Sequence, residues 1–292
     1  MRISIIANPI AGRGRAYRKL KEYMSRWPHQ DWEVELLPTQ CPEHAGEIAR
    51  ELASRPPDLV AVCGGDGTVS EVASRVPAPP FPVAVIPAGT ANVLAKELGL
   101  PADPIEALRK ALDGRPRLVD MGVLKGRSER RFLLMAGVGF DAYIVSKVQA
   151  GLKARIGETA YLIEVLRRVA GYPYPRFQVI TETGNFSATS CIVANTRGYG
   201  GGLVFSPDAD LSDGFFDLLI LEGSSWLGYV SFLRSAQRGK PRDFPWVRRC
   251  RCRTVRMEGP RGIWVQADGE LFGTLPVDIT IIPSCYPLMV PK

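Results

Sequence analysis

A chain of 292 residues, 46% hydrophobic and 23% charged, has room for two folded domains and none of the bias of a disordered or low-complexity polymer. No apolar run approaches the ~18 residues that cross a bilayer as a helix. The net charge of +7 is unevenly placed: nine Lys or Arg and one acid, Asp243, lie between Arg234 and Arg256, so the other 269 residues sum to −1.

The chain enters a strand pattern at once (Met1-Arg2-Ile3-Ser4-Ile5-Ile6), without the layout of a signal peptide, and a cytoplasmic protein is expected. Six cysteines include one close pair, Cys250 and Cys252, and only two histidines, His29 and His44, accompany them. No second pair completes a metal site, so structural thiols are expected.

To about residue 115, strand and helix signals alternate. Residues 3–7 read as a strand and 15–27 as an amphipathic helix; 32–37 follow as a strand and 43–53 as a helix. Residues 59–63 and 83–86 read as strands, each followed by a glycine turn and a helix. Asp103-Pro104-Ile105-Glu106 is a capping box with proline at its first helical position, opening a helix to Leu112. Such alternation predicts an open parallel α/β sheet, with ligands beyond the carboxyl ends of its strands.

The most informative stretch is Cys63-Gly64-Gly65-Asp66-Gly67-Thr68, directly after the apolar run 58–62. Three glycines in four residues permit unusual backbone angles and bring bare N–H groups close to a ligand. Thr68 and Glu71 have capping-box spacing, so a helix is expected to start with Thr68 as its N-cap. Strand, glycine turn and helix N-terminus make an anion site, and the usual anion is phosphate. Asp66 would repel phosphates unless a divalent cation lies between them, which points to a Mg²⁺-bound nucleotide. A ligand-free tight turn is the alternative.

After Gly114-Arg115-Pro116 the pattern changes. Strand-like runs at 117–123, 131–136, 176–181, 188–195, 215–221, 251–257, 263–267 and 277–282 dominate, with helices expected near 141–148, 157–169 and 225–237. This reads as a mainly antiparallel β domain. Asp268-Gly269 and Asp213-Gly214 are hairpin-turn dipeptides. Asp210, Asp213 and Asp217 crowd eight residues, which suits a hard cation. In the basic segment, Arg249, Arg251 and Arg253 share one strand face, and Trp226, Phe232, Phe244 and Trp246 lie in or just before it. Arginine mixed with aromatic rings suits an anionic membrane surface; a solvated basic face is the alternative, and no nucleic-acid motif accompanies the charge.

The chain resembles the diacylglycerol kinase catalytic family, which includes bacterial lipid kinases and sphingosine kinases, and within it the bacterial soluble lipid-kinase branch. Gly64-Gly65-Asp66-Gly67-Thr68 resembles that family's nucleotide loop, although NAD kinases and phosphofructokinases carry related loops. Asn8-Pro9 with Gly12-Arg13-Gly14 is similar to its opening motif, and Pro87-Ala88-Gly89-Thr90-Ala91-Asn92 with Leu98-Gly99-Leu100-Pro101 to its second nucleotide motif. Ser206-Pro207-Asp208-Ala209 with Asp213-Gly214 and Asp217, and then Asp268-Gly269-Glu270, complete the series in order. The resemblance implies a phosphofructokinase-like three-layer α/β domain over residues 1–116 and a β-sandwich domain over 117–282. It also implies an active-site cleft between them and a tail, 283–292, returning to the first domain.

By the same resemblance, Glu270 is the catalytic base and Asp66 organises metal and phosphates. Asn8, Thr39, Gly64, Gly65, Asp66, Gly67, Thr68, Val69, Ser70, Gly89 and Thr90 contact the nucleotide. Asp213, with carbonyls of Asp210 and Phe215, holds a structural Mg²⁺. This chain departs from the family at Glu43, where glycine usually precedes His-Ala, and at Ser70, where asparagine is common. The function expected is an ATP- and Mg²⁺-dependent lipid kinase with diacylglycerol as first acceptor, attached peripherally to an anionic membrane through Arg249, Arg251 and Arg253. It belongs to phospholipid metabolism, with a homodimer as a further partner expectation. The alternatives are an NAD kinase-like phosphotransferase and a nucleotide- or lipid-binding regulator without turnover.

Overall fold

Three neighbouring apolar runs, Arg2–Ala7 (β1), Leu59–Gly64 (β3) and Val83–Pro87 (β4), are buried almost throughout, because helices cover both faces of the sheet they form. The computed structural model describes all residues except 30, 148–170, 224, 240 and 242. Its contacts divide into two units, Met1–Val119 with Ser284–Lys292, and Asp120–Pro283.

In the first unit, Glu33–Pro38 (β2) joins the parallel order β2-β1-β3-β4. The helices are Arg15–Met24 (α1), His44–Ser54 (α2), Asp66–Arg75 (α3), Val93–Glu97 (α4) and Pro104–Leu112 (α5). Alternate strand residues Ile3, Ile5, Ala61, Cys63, Ala84 and Ile86 pack with Leu20 of α1 and Leu108 and Ala111 of α5. The residues between them, Ser4, Ile6, Val60, Val62 and Val85, are also buried. A strand hidden on both faces needs such an unbroken apolar run. Asp103 caps α5 by accepting from the Ile105 and Glu106 amides at 3.0 and 3.2 Å, as its motif predicts.

The strands of the second unit pair mainly antiparallel. Strands Val247–Cys252 (β12), Phe216–Leu221 (β11), Ser190–Ala194 (β10), Met135–Gly139 (β7), Trp264–Ala267 (β14) and Glu270–Thr274 (β15) form one sheet in that order. Thr254–Glu258 (β13) pairs with Phe177–Thr181 (β8) and with the start of Val277–Val290 (β16), while β8 pairs with Gly184–Ala188 (β9). Residues from both sheets, among them Val138, Cys191, Phe216, Cys252, Met257, Val265 and Ile279, share one core, which makes a sandwich. The later residues of β16 belong to the first unit, where Leu288 pairs in parallel with Val83 of β4.

Several element boundaries differ from the sequence reading. The run 131–136 is two strands, Glu129–Phe132 (β6) and β7, because the intervening Leu133 and Leu134 amides turn to the Asp268 carboxylate. The run 251–257 is also two, β12 and β13, broken at Arg253. The short β9 and β15 are strands the sequence reading did not identify. The helix expected at 141–148 spans Phe140–Lys147, that at 225–237 spans Trp226–Gln237 with Ser225 as N-cap, and that at 157–169 lies outside the described residues. Among the described residues no helix is long and apolar enough to cross a membrane.

Candidate active site

Sheet order puts the expected nucleotide residues of the first unit in a row at the carboxyl ends of the strands. Thr39 follows β2, Asn8 follows β1, Gly65–Ser70 follow β3, and Gly89 and Thr90 follow β4. The chain runs from β1 outward to β2 and then returns to β3 on the other side of β1. That reversal opens a crevice beside Asn8 and the glycine loop, where ligands of open α/β sheets bind.

The helix after the loop starts earlier than its capping-box motif suggests. α3 begins at Asp66 with Gly65 as its extended N-cap, and no side chain caps it. The Gly65 carbonyl takes the Thr68 and Val69 amides at 3.0 and 3.3 Å, so Thr68 and Val69 have no amide left for a phosphate. The amides of Gly65, Asp66 and Gly67 have no backbone acceptor among the described residues. Amides left over in this way at a helix N-terminus can donate to an anion. Val69 is 2% exposed and packs inward.

The glycines are needed here for close approach and not for unusual angles: none of Gly64, Gly65 and Gly67 has a positive φ. A Cβ on Gly64 would collide with the Thr68 side chain, and one on Gly89 would lie 2.6 Å from the Gly65 Cα. The loops after β3 and β4 therefore touch backbone to backbone. Positive φ occurs instead at Gly12, Arg13 and Gly14, and at Glu43, whose φ of +66° is one glycine adopts without strain.

Asp66 ties the two loops together, since its Oδ1 accepts from the Leu94 amide of α4 at 3.1 Å. Asn92 closes the second loop: its Oδ1 accepts from the Gly89 amide at 2.8 Å, and its Nδ2 donates to the Gly89 carbonyl at 2.9 Å. Asn92 is the N-cap of α4, and Thr90 is exposed. Asn8 donates through Nδ2 to Thr68 Oγ1 at 3.4 Å and accepts the Ile10 amide at 3.1 Å. Ser70 lies on α3, and Thr39 is held by its amide on the Ala7 carbonyl at 2.8 Å.

In the second unit Glu270 opens β15 directly after a turn whose residues, Asp268 (φ +48°) and Gly269 (φ +81°), are both left-handed, as a type I′ hairpin requires. Asp268 is the anchor of that turn: its carboxylate accepts from the amides of Leu133, Leu134 and Met135 at 2.9–3.0 Å. Gly269 donates to buried Gln266 at 2.7 Å, and Gln266 donates to Asp141 at 2.7 Å. Glu270 itself is half-exposed and pairs with Arg130 at 2.9 Å. The sequence offered no signal for Arg130, because the pair spans 140 positions.

The expected metal loop brings Asp213 and Phe215 together with both Asp213 carboxylate oxygens engaged, while the buried Oδ2 of Asp217 has no hydrogen-bond partner among the described residues. Asp213 Oδ1 accepts the Phe215 amide at 3.0 Å, Oδ2 is paired with Arg251, and Asp210 accepts from the Ser212 amide and hydroxyl. Arg251 and Arg253 both lie over the Phe215 ring, at 4.8 and 4.7 Å. Fully buried Asp120, which sequence reading missed, accepts the Gly214 amide at 2.7 Å. Burial holds the Asp217 carboxyl above the usual range, against the opposing pull of Arg251. No group of three or more potential metal-binding side chains gathers among the described residues.

Four arginines of the basic segment are paired with acids. Arg251 pairs with Asp213 and Asp217, Arg249 with Asp243, Arg248 with Glu222, and Arg256 with Asp278. Lys240 and Arg242 lie outside the described residues. Behind the Trp226–Gln237 helix, a small cavity is lined by apolar side chains including Ile192, Leu203, Phe232 and Leu233, with Asp141 and Tyr199 as its polar end. Tyr199 donates to Asp141.

The family model described as diacylglycerol kinase catalytic domain matches residues 2–124, and that described as YegS C-terminal NAD kinase beta sandwich-like domain matches residues 135–290. A diacylglycerol kinase of Mycobacterium tuberculosis is 29% identical over 100% of this chain and 96% of its own length. A diacylglycerol kinase of Bacillus subtilis is 27% identical over 100% of this chain and 97% of its own. Among solved structures, that of a diacylglycerol kinase from Bacillus anthracis superposes with a TM-score of 0.75 at 21% identity, covering 99% of this chain and 96% of that one.

Proposed function

The chain belongs to the bacterial soluble diacylglycerol kinase-like family and is a kinase that transfers phosphate to an alcohol, and on that premise we propose that it carries the γ-phosphoryl group of ATP to a lipid hydroxyl, diacylglycerol first. The observation that carries this reading is the paired loop: Gly65 against Gly89, with Asp66 bridging them at the carboxyl end of the sheet. Such a loop is a cradle for phosphates, and phosphoryl transfer depends chiefly on position and charge compensation.

In this mechanism the Gly65, Asp66 and Gly67 amides hold phosphate oxygens. Asp66 uses Oδ1 to fix the loop, which leaves Oδ2 for a cation. Asp66 would hold a Mg²⁺ through that oxygen, and the ion would supply neutralisation of the phosphate charge. Glu270 accepts the proton of the acceptor hydroxyl as that oxygen attacks phosphorus and the bond to the bridging oxygen breaks. Asp268 fixes the turn from which Glu270 projects. A structural Mg²⁺ at Asp213 would have to displace Arg251, so the loop as built fits that second ion poorly.

An NAD kinase-like activity is the rival reading, favoured by the description of the C-terminal family model. Incubation with γ-labelled ATP, Mg²⁺, a lipid panel and NAD separates the two. The proposal requires label in a lipid phosphate, and label in NAD alone overturns it.

A further inference from the structure

The outer face of the Trp226–Gln237 helix carries charge and apolar surface that nothing described so far uses. Trp226 and Leu227 are 48% and 58% exposed, two adjacent members of a short set of exposed large apolar side chains. Leu227, Ser231, Arg234 and Arg238 are all exposed and recur at helical spacing, so one stripe runs from an apolar end to a basic end. No acid occurs between Ser225 and Gly239, and neither Arg234 nor Arg238 has an ion-pair partner among the described residues. The opposite face, Tyr229, Phe232 and Ala236, is buried, which fixes the outward stripe in place.

We propose that this helix face is the surface by which the protein docks on an anionic lipid bilayer, an inference that rests on the lipid-kinase reading above. Apolar side chains and arginines on one face, without acids, are what an interfacial helix offers to lipid. Trp226 and Leu227 enter the headgroup boundary, and the arginine stems lie along it with their guanidinium groups on lipid phosphates. Arg176 and Arg248 flank the same end, both bound to Glu222. A second copy fits worse. Antiparallel pairing sets the apolar end against the partner's arginines, and parallel pairing sets arginine on arginine. Of the three arginines expected to do this from the sequence, Arg249 and Arg251 pair with acids of their own unit, and Arg253 lies over the Phe215 ring.

Flotation of the full chain with phosphatidylglycerol–phosphatidylcholine vesicles, without nucleotide or acceptor, tests this. The double variant Trp226→Ser, Leu227→Ser is expected to lower partitioning about tenfold or more at low and high salt alike. Arg234→Ser with Arg238→Ser is expected to lower it several-fold at low salt, a difference that shrinks at high salt. Both variants keep the wild-type thermal midpoint, because all four side chains are exposed. The proposal is overturned if either double variant binds vesicles as the wild type does. It is equally overturned if the wild type ignores vesicles, including the case of a dimer that the apolar variant dissociates. Flotation needs no turnover, so its failure leaves the kinase reading standing, and a protein that floats yet labels no acceptor overturns that reading alone.

Discussion

The Asp66 carboxylate accepts the Leu94 amide at 3.1 Å and so joins the start of α3 to the start of α4. In the proposed mechanism this side chain has two jobs: it fixes two loops through Oδ1 and offers Oδ2 to a cation. The two are separable by substitution. Asp66→Asn keeps an acceptor oxygen and removes the charge, and it is expected to retain the wild-type thermal midpoint while losing most turnover. Asp66→Ala also removes the tie and is expected to cost a further ~1.5–3 kcal/mol in urea unfolding, the usual range for a hydrogen bond to a charged group. An Asn variant active within a few-fold of wild type would show that the charge is not used.

Glu270→Gln is expected to reduce kcat by roughly 10²–10⁴-fold, the range for losing a general base. ATP affinity, measured by calorimetry, is expected to be unchanged, because Glu270 is assigned to the acceptor hydroxyl. Weakened ATP binding at an unchanged kcat would contradict that assignment.

Arg251 pairs with Asp213 and Asp217 and covers Phe215. Mg²⁺ without nucleotide is therefore expected to leave the wild-type thermal midpoint unmoved. Arg251→Ser uncovers the carboxylates and is expected to make the midpoint rise with Mg²⁺. A wild-type midpoint that rises with Mg²⁺, and no longer does so in Asp213→Asn, would establish the loop as a metal site despite the arginine.

Burial pushes the Cys63 thiol up to about 12 from an ordinary 9.0. The folded protein keeps this proton when the unfolded chain releases it, so the contribution to stability is present below pH 9.0 and is lost as pH rises toward 12. Cys63→Ala is expected to flatten the alkaline fall in unfolding free energy by up to one proton, ~1.4 kcal/mol per pH unit. Identical slopes for the two proteins would mean that Cys63 does not titrate on unfolding in this window.

The alternation of apolar runs made the parallel sheet legible, since strands buried on both faces leave an unbroken signature at residues 3–7, 59–63 and 83–86. The loop after β3 was legible as a strand, glycine turn and helix start, but its construction was not. The glycines serve the Gly65–Gly89 approach, a contact between segments 24 positions apart that local reading does not reach. The capping box at Thr68 misled because Gly65 takes the cap and Thr68 turns to Gly64 and Asn8. At Glu43 the departure from the family's glycine changes the residue and keeps the glycine-like backbone. In the second unit, Asp268 and Arg251 act on partners more than thirty positions away, so their dipeptides read only as turns and charge.

The most direct test is the initial rate at which label from γ-labelled ATP enters detergent-dispersed diacylglycerol. A labelled lipid phosphate is expected that forms in proportion to the protein, stops when Mg²⁺ is chelated, and resumes when Mg²⁺ is returned in excess. Absence of labelled lipid from a folded, ATP-binding protein, with diacylglycerol and Mg²⁺ both present, would contradict the lipid-kinase reading.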